Sequence, residues 1–428
     1  MTGSLSTRGR LSIGLFLLTA TLSAQLRPDP QLSAEIARIK AIDNHAHPVR
    51  IVAPNEKDME FDALPVDTMD PYTEPIRTRP ESGEATQAHK ALYGAATRKS
   101  VMDKQGDNYP NWVLDQLGIE VMLANRVAMG TSIAPPRFLW VPYADALMYP
   151  LKNDVLIARA PDYKELFADE ERLLQRYLKD SDLTAVPAFF EEYLRNVVTP
   201  TLERQKAGGA IAVKFEAAYL RALRFGNPTR SQAERVFTVY AHTPPPAADY
   251  KILQDFLFRY IALECGRLGM AVHLHAAAGA GGYFDIAGSN PMNMEPLFND
   301  PTLRKTKFVM IHGGWPFTHE LTALLSKPNV YLDFSEQTFN NYPRAVAEAI
   351  RGWLEFAPEK VMFATDAYPF SDAMGWEEAG YLAARTGREA LALALTGMMA
   401  DGEITRIRAL ELARMVLRDN ARGLYGLK

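Results

Sequence analysis

The chain has 428 residues, 47% of them apolar and 23% charged, with a formal net charge of −4. Those proportions suit a folded globular enzyme, and without a basic excess nucleic acid is excluded as the main partner. The single cysteine, Cys265, excludes an intrachain disulfide and a zinc site built on several thiolates.

Residues 1–24 read as a signal peptide, in which Arg8 and Arg10 precede an apolar run at 11–22 that ends in Ser23 and Ala24. The run is short for a bilayer, so no stable membrane span is expected, although an uncleaved anchor is the competing reading. The expectation is an exported protein, periplasmic or extracellular, whose residues 25–428 form one domain. A helix is expected at 31–40. The stretch Ala41-Ile42-Asp43-Asn44-His45-Ala46-His47-Pro48 follows as a strand. Strand side chains alternate, so His45 and His47 share a face and can grip one metal ion, while Pro48 ends the ladder. Taken alone the pair is equally compatible with two polar residues at a strand end. Residues 49–117 form an insertion or lid: 55–82 is rich in Pro, Asp and Thr, and helices are expected at 84–102 and 111–117.

Strands are expected at 120–125 and 138–144, then helices at 163–179 and 187–198, with Pro187 in a first turn and Pro200 interrupting the pattern. The strand at 210–217 carries Lys214 and Glu216 on one face. After helices at 230–240 and 249–268, strands at 271–276, 307–312, 330–334 and 361–365 alternate with helical segments at 293–303, 317–326 and 344–356. Helices at 377–400 and 404–424 close the chain.

Eight strands, most followed by helical material, give an α/β fold: a (β/α)8 TIM barrel with helical insertions after strand 1 and strand 3. An open doubly wound sheet is the alternative. Its dinucleotide-binding form needs a glycine-rich turn after an early strand, whereas Gly279, Gly281 and Gly282 follow a late one and Phe284 stands where the third glycine belongs. In a barrel the strand ends converge on one face. Those ends carry His45 and His47, Lys214, His275, His312 and Asp366. Five of the eight histidines, these four and His273, lie at strand ends or just below. His273 points the same way as His275 but deeper, and Asp333 in strand 7 faces the same interior. His89, His242 and His319 fall in helices or loops and read as structural or surface residues. Several imidazoles with one carboxylate suit a divalent metal, zinc above all.

The segments Val213-Lys214-Phe215-Glu216-Ala217-Ala218-Tyr219, His273-Leu274-His275, Val309-Met310-Ile311-His312-Gly313-Gly314-Trp315-Pro316-Phe317, Val330-Tyr331-Leu332-Asp333-Phe334-Ser335 and Phe363-Ala364-Thr365-Asp366-Ala367 resemble the amidohydrolase superfamily. The resemblance leans to its amidohydrolase-related branch, which holds nodulin-like hydrolase domains and metal-dependent decarboxylases. It implies that His45, His47, His275 and Asp366 hold the metal and that His312 contacts substrate or serves a second ion. Asp366, His312 and Lys214 are then the catalytic candidates, and Glu216, Arg221 and Trp315 the candidates for binding a small-molecule substrate. Lys214 is either an ammonium or a carbamate bridging two ions. The neighbouring Glu216 favours the ammonium and a single ion. The implied reaction is metal-assisted hydrolysis of an amide, lactone or ester-like bond. Non-oxidative decarboxylation of a small carboxylic acid needs the same ligands, and a non-catalytic metal- or ligand-binding barrel is the remaining reading. Nothing in the sequence speaks against a homo-oligomer.

Overall fold

A computed structural model describes residues 27–52, 56, 58–60, 75–79 and 81–427. The expected signal peptide and part of the 49–117 insertion lie outside these residues. Among those described, no helix is long and apolar enough to cross a membrane.

Among the described residues eight strands appear in the expected order: β1 Ala41–Ala46, β2 Ile119–Asn125, β3 Phe138–Val141, β4 Ala212–Phe215, β5 Ala271–His275, β6 Phe308–Ile311, β7 Val330–Asp333 and β8 Val361–Met362. They form two all-parallel ladders, β1-β2-β3 and β4-β5-β6-β7-β8. Backbone hydrogen bonds cross both seams between the ladders. On one side Lys214 N donates to Pro142 O (2.8 Å) and Ala144 N to Lys214 O (2.9 Å). On the other, Asn44 N donates to Phe363 O (3.0 Å), Asp366 N to His45 O (2.8 Å) and His47 N to Ala367 O (2.9 Å). This ring of strands with helices between them is a (β/α)8 barrel. β8 is shorter than expected because the chain beyond Met362 turns its backbone bonds to β1 and to Val416.

The strands alternate as a barrel requires. Ile42, Leu123, Val141, Ala212, Ala271, Val309, Ile311 and Met362 pack with Ala421 and Leu424, so the C-terminal helix Asn420–Tyr425 plugs the lower end. At the same level Tyr425 Oη donates to Asn44 Oδ1 (2.5 Å) and therefore accepts from His273 Nε2 (2.6 Å). His273 is thus held one layer below the strand ends.

The helices depart from expectation at identifiable breaks. The segment expected as one helix at 84–102 splits into Gly83–Tyr93 and Arg98–Gln105, because Gly94 takes φ +64° and Thr97 caps the second piece. Pro187 is not in a first helical turn, since that helix begins at Phe190. Pro200 does not interrupt it either: a wide turn over Leu194–Val198 feeds directly into Thr199–Ala207, and Pro200 sits where its missing N–H is harmless. A similar wide turn, Met415–Asp419, divides the last expected helix.

Candidate metal centre

Side chains from the upper ends of β1, β4, β5, β6 and β8 meet in one buried cluster. β1 supplies the tightest part. His45 Nε2 lies 3.1 Å from Asp366 Oδ1, His47 Nε2 lies 3.3 Å from the same oxygen, and the two Nε2 atoms are 3.3 Å apart. The i, i+2 spacing of a strand puts both rings on one face, and the β8–β1 seam brings Asp366 to them. The outer nitrogens are held from behind: His47 Nδ1 faces Tyr143 Oη at 3.2 Å, and His45 Nδ1 faces the Asn125 side-chain amide at 2.8 Å.

Across the barrel, His275 and His312 pack ring against ring with centroids 4.5 Å apart. His312 Nδ1 lies 2.9 Å from Ser335 Oγ, which itself donates to Asp333 Oδ1 at 2.6 Å. Ser335 therefore accepts the His312 Nδ1 proton, and His312 Nε2 keeps its lone pair. His275 bonds the Ala277 backbone through one ring nitrogen, while its Nε2 is buried with no hydrogen-bond partner among the described residues. Lys214, 1% exposed, places Nζ 3.4 Å from His45 Nε2 and 3.8 Å from Glu216 Oε1.

Burial keeps these rings neutral. It pushes His275 down to about 3, helped by the Lys214 charge, and drives His45 and His312 well below the ordinary value of 6.5. Asp366 behaves oppositely. Burial opposes its charge, but the hydrogen bonds from His45 and His47 hold it well below the usual carboxylate range. Neutral imidazoles beside an ionised carboxylate are the donor forms a divalent cation needs. A buried nitrogen without a partner costs about 1–3 kcal/mol, and a cation removes that cost at His275 Nε2. Among the described residues, two groups have ligand atoms mutually within 4.8 Å: His45, His312 and Asp366, and His275, His312 and Glu336. The residues present therefore fit a metal.

Glu336 was not expected from sequence. It follows β7, its Oε1 accepts from Asn340, and its Oε2 is buried without a hydrogen-bond partner among the described residues. Burial, then the nearby Asp366 charge, pushes its carboxyl up to about 8. The only available signal was its place just past a strand end. Asn125, the last residue of β2, was missed for the same reason. Four described residues other than glycine have positive φ, and three belong to this cluster: His312 (+72°), Glu336 (+59°) and Asp366 (+55°). Side chains are held in such backbone conformations where the surroundings over-determine them, as functional sites do.

Two expected substrate contacts are placed elsewhere. The Arg221 guanidinium is engaged by Asp255 Oδ1 (2.6 Å), Gln254 Oε1 (3.0 Å) and the carbonyls of Arg224 and Ala222, and it lies over the Phe225 ring. With its donors spent on the helix Ala247–Leu268, it is a structural residue rather than a substrate clamp. Trp315 lines a cavity of about 250 Å³ with His319, Gln337 and Trp353, and the cluster's histidines and carboxylates are not in that wall. Aromatic rings that sequence reading passed over flank the cluster instead. Tyr219 lies 4.6 Å from His275 and 5.1 Å from Phe284, and Tyr368 lies 5.6 Å from His47 (centroid distances). Gly279 allows the first of these walls, since a Cβ there would stand 2.6 Å from both Tyr219 and Phe284.

Comparison with known proteins places this geometry. A family model described as amidohydrolase matches residues 154–427, which include β4 to β8 but not His45 and His47. Protein fluG of Emericella nidulans is 26% identical over 261 residues, covering 58% of this chain; the chain spans 29% of that relative's length. Among solved structures, glucuronate isomerase from Caulobacter crescentus superposes with a TM-score of 0.62 at 13% identity, covering 94% of this chain and 96% of the other. A protein of Lactobacillus casei ATCC 334 assigned as a metal-dependent hydrolase gives 0.61 at 14% identity, covering 94% and 98%. These two likenesses speak for the fold. With the family model covering well over half of its length, the chain belongs to the amidohydrolase family.

Proposed function

We propose that this protein is a metal-dependent hydrolase of a small-molecule C–N or C–O bond, such as an amide or lactone, and that zinc is its ion. The observation that carries the reading is the meeting of His45, His47 and Asp366 within 3.3 Å of one another in a family of metal-dependent barrels. These three would hold the cation, with His275 as the member contributed by β5. A bound divalent cation supplies Lewis acidity towards water and a carbonyl oxygen.

The chain's own groups do the rest. Asp366 is ionised and placed to take a proton from the attacking water and return it to the leaving group. His312 is fixed through Nδ1 by Ser335 and presents Nε2 to the reacting group. Lys214, an unmodified ammonium held by Glu216, supplies positive charge against a developing oxyanion or a substrate carboxylate. Glu216 lies beside it as a further contact for polar substrate atoms. Tyr219, Phe284 and Tyr368 give the mouth apolar walls that suit a small organic molecule and keep water from the reacting bond.

The test measures metal content and turnover together. Wild-type protein should carry tightly bound zinc and hydrolyse members of an amide, lactone and ester panel, with activity lost to chelator. His45→Ala or Asp366→Ala should strip the metal and leave the far-ultraviolet circular dichroism unchanged. Metal retained in both variants would overturn the ligand set. Chelator-sensitive release of CO2 from small carboxylic acids, with the panel untouched, would replace hydrolysis by decarboxylation. Export is proposed from the Arg8, Arg10 and 11–22 pattern. Mature protein from the native host should begin near Ala24 or Gln25, and intact Met1 on the soluble protein would refute it.

A further inference from the structure

We propose that Tyr425, in the helix that plugs the lower end of the barrel, is a positioning residue for His312. It acts through Asn44, Asp333 and Ser335, which form one polarised line of hydrogen bonds beneath the cluster. This role rests on the reading above, in which His312 presents Nε2 to the reacting group, and it accounts for what keeps the lone pair on that nitrogen.

Every link of the line is in place. Tyr425 Oη donates to Asn44 Oδ1 at 2.5 Å, and Asn44 Nδ2 donates to Asp333 Oδ2 at 2.7 Å. Ser335 Oγ donates to Asp333 Oδ1 at 2.6 Å and accepts from His312 Nδ1 at 2.9 Å. At the other end His273 Nε2 donates to Tyr425 Oη at 2.6 Å. Asn44, His273, Asp333 and Ser335 are completely buried, so solvent does not compete for these bonds.

Asp333 gives the line its direction. Its Oδ1 also accepts from the backbone N–H groups of His312 (3.2 Å) and Ser335 (3.1 Å), so no donor can take the place of that oxygen. Donors thus converge on both carboxylate oxygens, which favours the ionised form. A carboxylate only accepts, and each amide and hydroxyl in the line therefore donates towards it. At His312 the result is a proton on Nδ1 and a lone pair on Nε2. An acceptor behind an imidazole sets its tautomer in this way, and losing such a partner costs activity by roughly 10–100-fold. Tyr425 contributes by fixing the Asn44 amide. With its hydroxyl on Oδ1, only Nδ2 is left to face Asp333. The short helix Asn420–Tyr425 thus orients a group at the opposite end of the barrel.

The experiment reads imidazole tautomers by nitrogen NMR on metal-free protein with isotope-labelled histidine, the two signals being assigned from His273→Gln and His312→Gln. Wild type should show Nδ1–H at His312 and Nε2–H at His273. In Tyr425→Phe a share of His312 should move to the Nε2–H form. Leu424→Ala loosens the same plug without touching the line, so it should lower the unfolding midpoint and leave His312 as in wild type. Asp333→Asn gives a signature that a loss of packing does not produce. Its oxygen stays on the two backbone N–H groups, so its new amide nitrogen faces Asn44. The Asn44 amide then turns over, and the Tyr425 hydroxyl donates to His273 Nε2 instead. His273 should change to the Nδ1–H form, and the change should be absent when Tyr425→Phe is added. An Nε2–H proton on His312 in wild type, a Tyr425→Phe spectrum like that of wild type, or an equal shift in Leu424→Ala overturns the proposal. Should Tyr425→Phe not fold, Asp333→Asn decides, and an unchanged His273 overturns it. Zinc and turnover play no part in these spectra, so their failure overturns the proposed function alone.

Discussion

Asn125 controls which nitrogen His45 can present. Its Nδ2 lies 2.8 Å from His45 Nδ1 and 3.1 Å from the Ala46 carbonyl, while its Oδ1 is buried without a partner. In that orientation the amide donates to Nδ1, and the imidazole proton sits on Nε2, shared with Asp366. A cation on Nε2 moves the proton to Nδ1, which then needs an acceptor, and a turned amide would present Oδ1 to it. Amide oxygen and nitrogen are assigned from such networks. Asn125→Ala should therefore weaken zinc binding by roughly 10–100-fold with little change in fold. Competition against a chromophoric chelator measures this, and unchanged affinity would show that Asn125 has no hold on the ligand. At this scale the sequence was readable where one strand rule sufficed. Period-two alternation placed His45 with His47, and strand ends placed His275, His312 and Asp366. Asn125, Glu336 and Ser335 were not readable, because their roles depend on which neighbour lies across a seam or past a turn. Arg221 misled because its partner Asp255 lies on a helix 34 residues away in the chain.

Between the elements, the described part of the 49–117 insertion does more than cover one end. Arg77, 2% exposed, donates to the carbonyls of Thr338 and Asn341, to Thr386 Oγ1 at 2.9 Å and to Glu84. It thereby closes the end of the short helix Gln337–Asn340, which begins directly after Glu336 and whose Gln337 amide donates to the His312 carbonyl at 2.7 Å. The insertion thus fixes the turn after β7 that carries Glu336. Arg77→Ala leaves both carbonyls short of a donor, at about 1–3 kcal/mol each. Thermal unfolding of the variant should move down by several degrees. An unchanged midpoint would show that Arg77 does not hold this turn. Composition read this segment as an insertion or lid, since Arg77 and Arg79 among prolines and threonines give no sign that one of them is buried. The split at Gly94 and the wide turn before Pro200 were illegible for a related reason. Periodicity finds helical segments, whereas their joints are decided by backbone geometry at one or two residues.

At the scale of the whole molecule, the titratable groups buried inside the barrel govern how stability responds to pH. Burial pushes Asp43 up to about 7, Asp145 up to about 7 and Glu336 up to about 8. An acid whose folded value is raised holds its proton in the native state after the unfolded chain has released it, so native stability falls as pH rises through that window. The buried imidazoles run the other way. His273 and His275, held at about 3 chiefly by burial, favour the native state as pH rises towards 6.5 and contribute no further change above it. Between pH 4 and 6.5 the two sets oppose one another. From about 6.5 to 8 only the carboxyls still titrate. Metal-free protein should therefore lose stability over that upper interval, read as a falling denaturant midpoint in chelator. Zinc should flatten or reverse the trend, since a cation favours ionised Glu336 and neutral imidazoles together. Glu336→Gln should remove part of the metal-free slope while leaving the contributions of Asp43 and Asp145. A midpoint that rises from pH 6.5 to 8 in the metal-free protein would show that these carboxyls are ionised throughout, and that the barrel compensates their burial by hydrogen bonds such as those from Thr365 to Asp43.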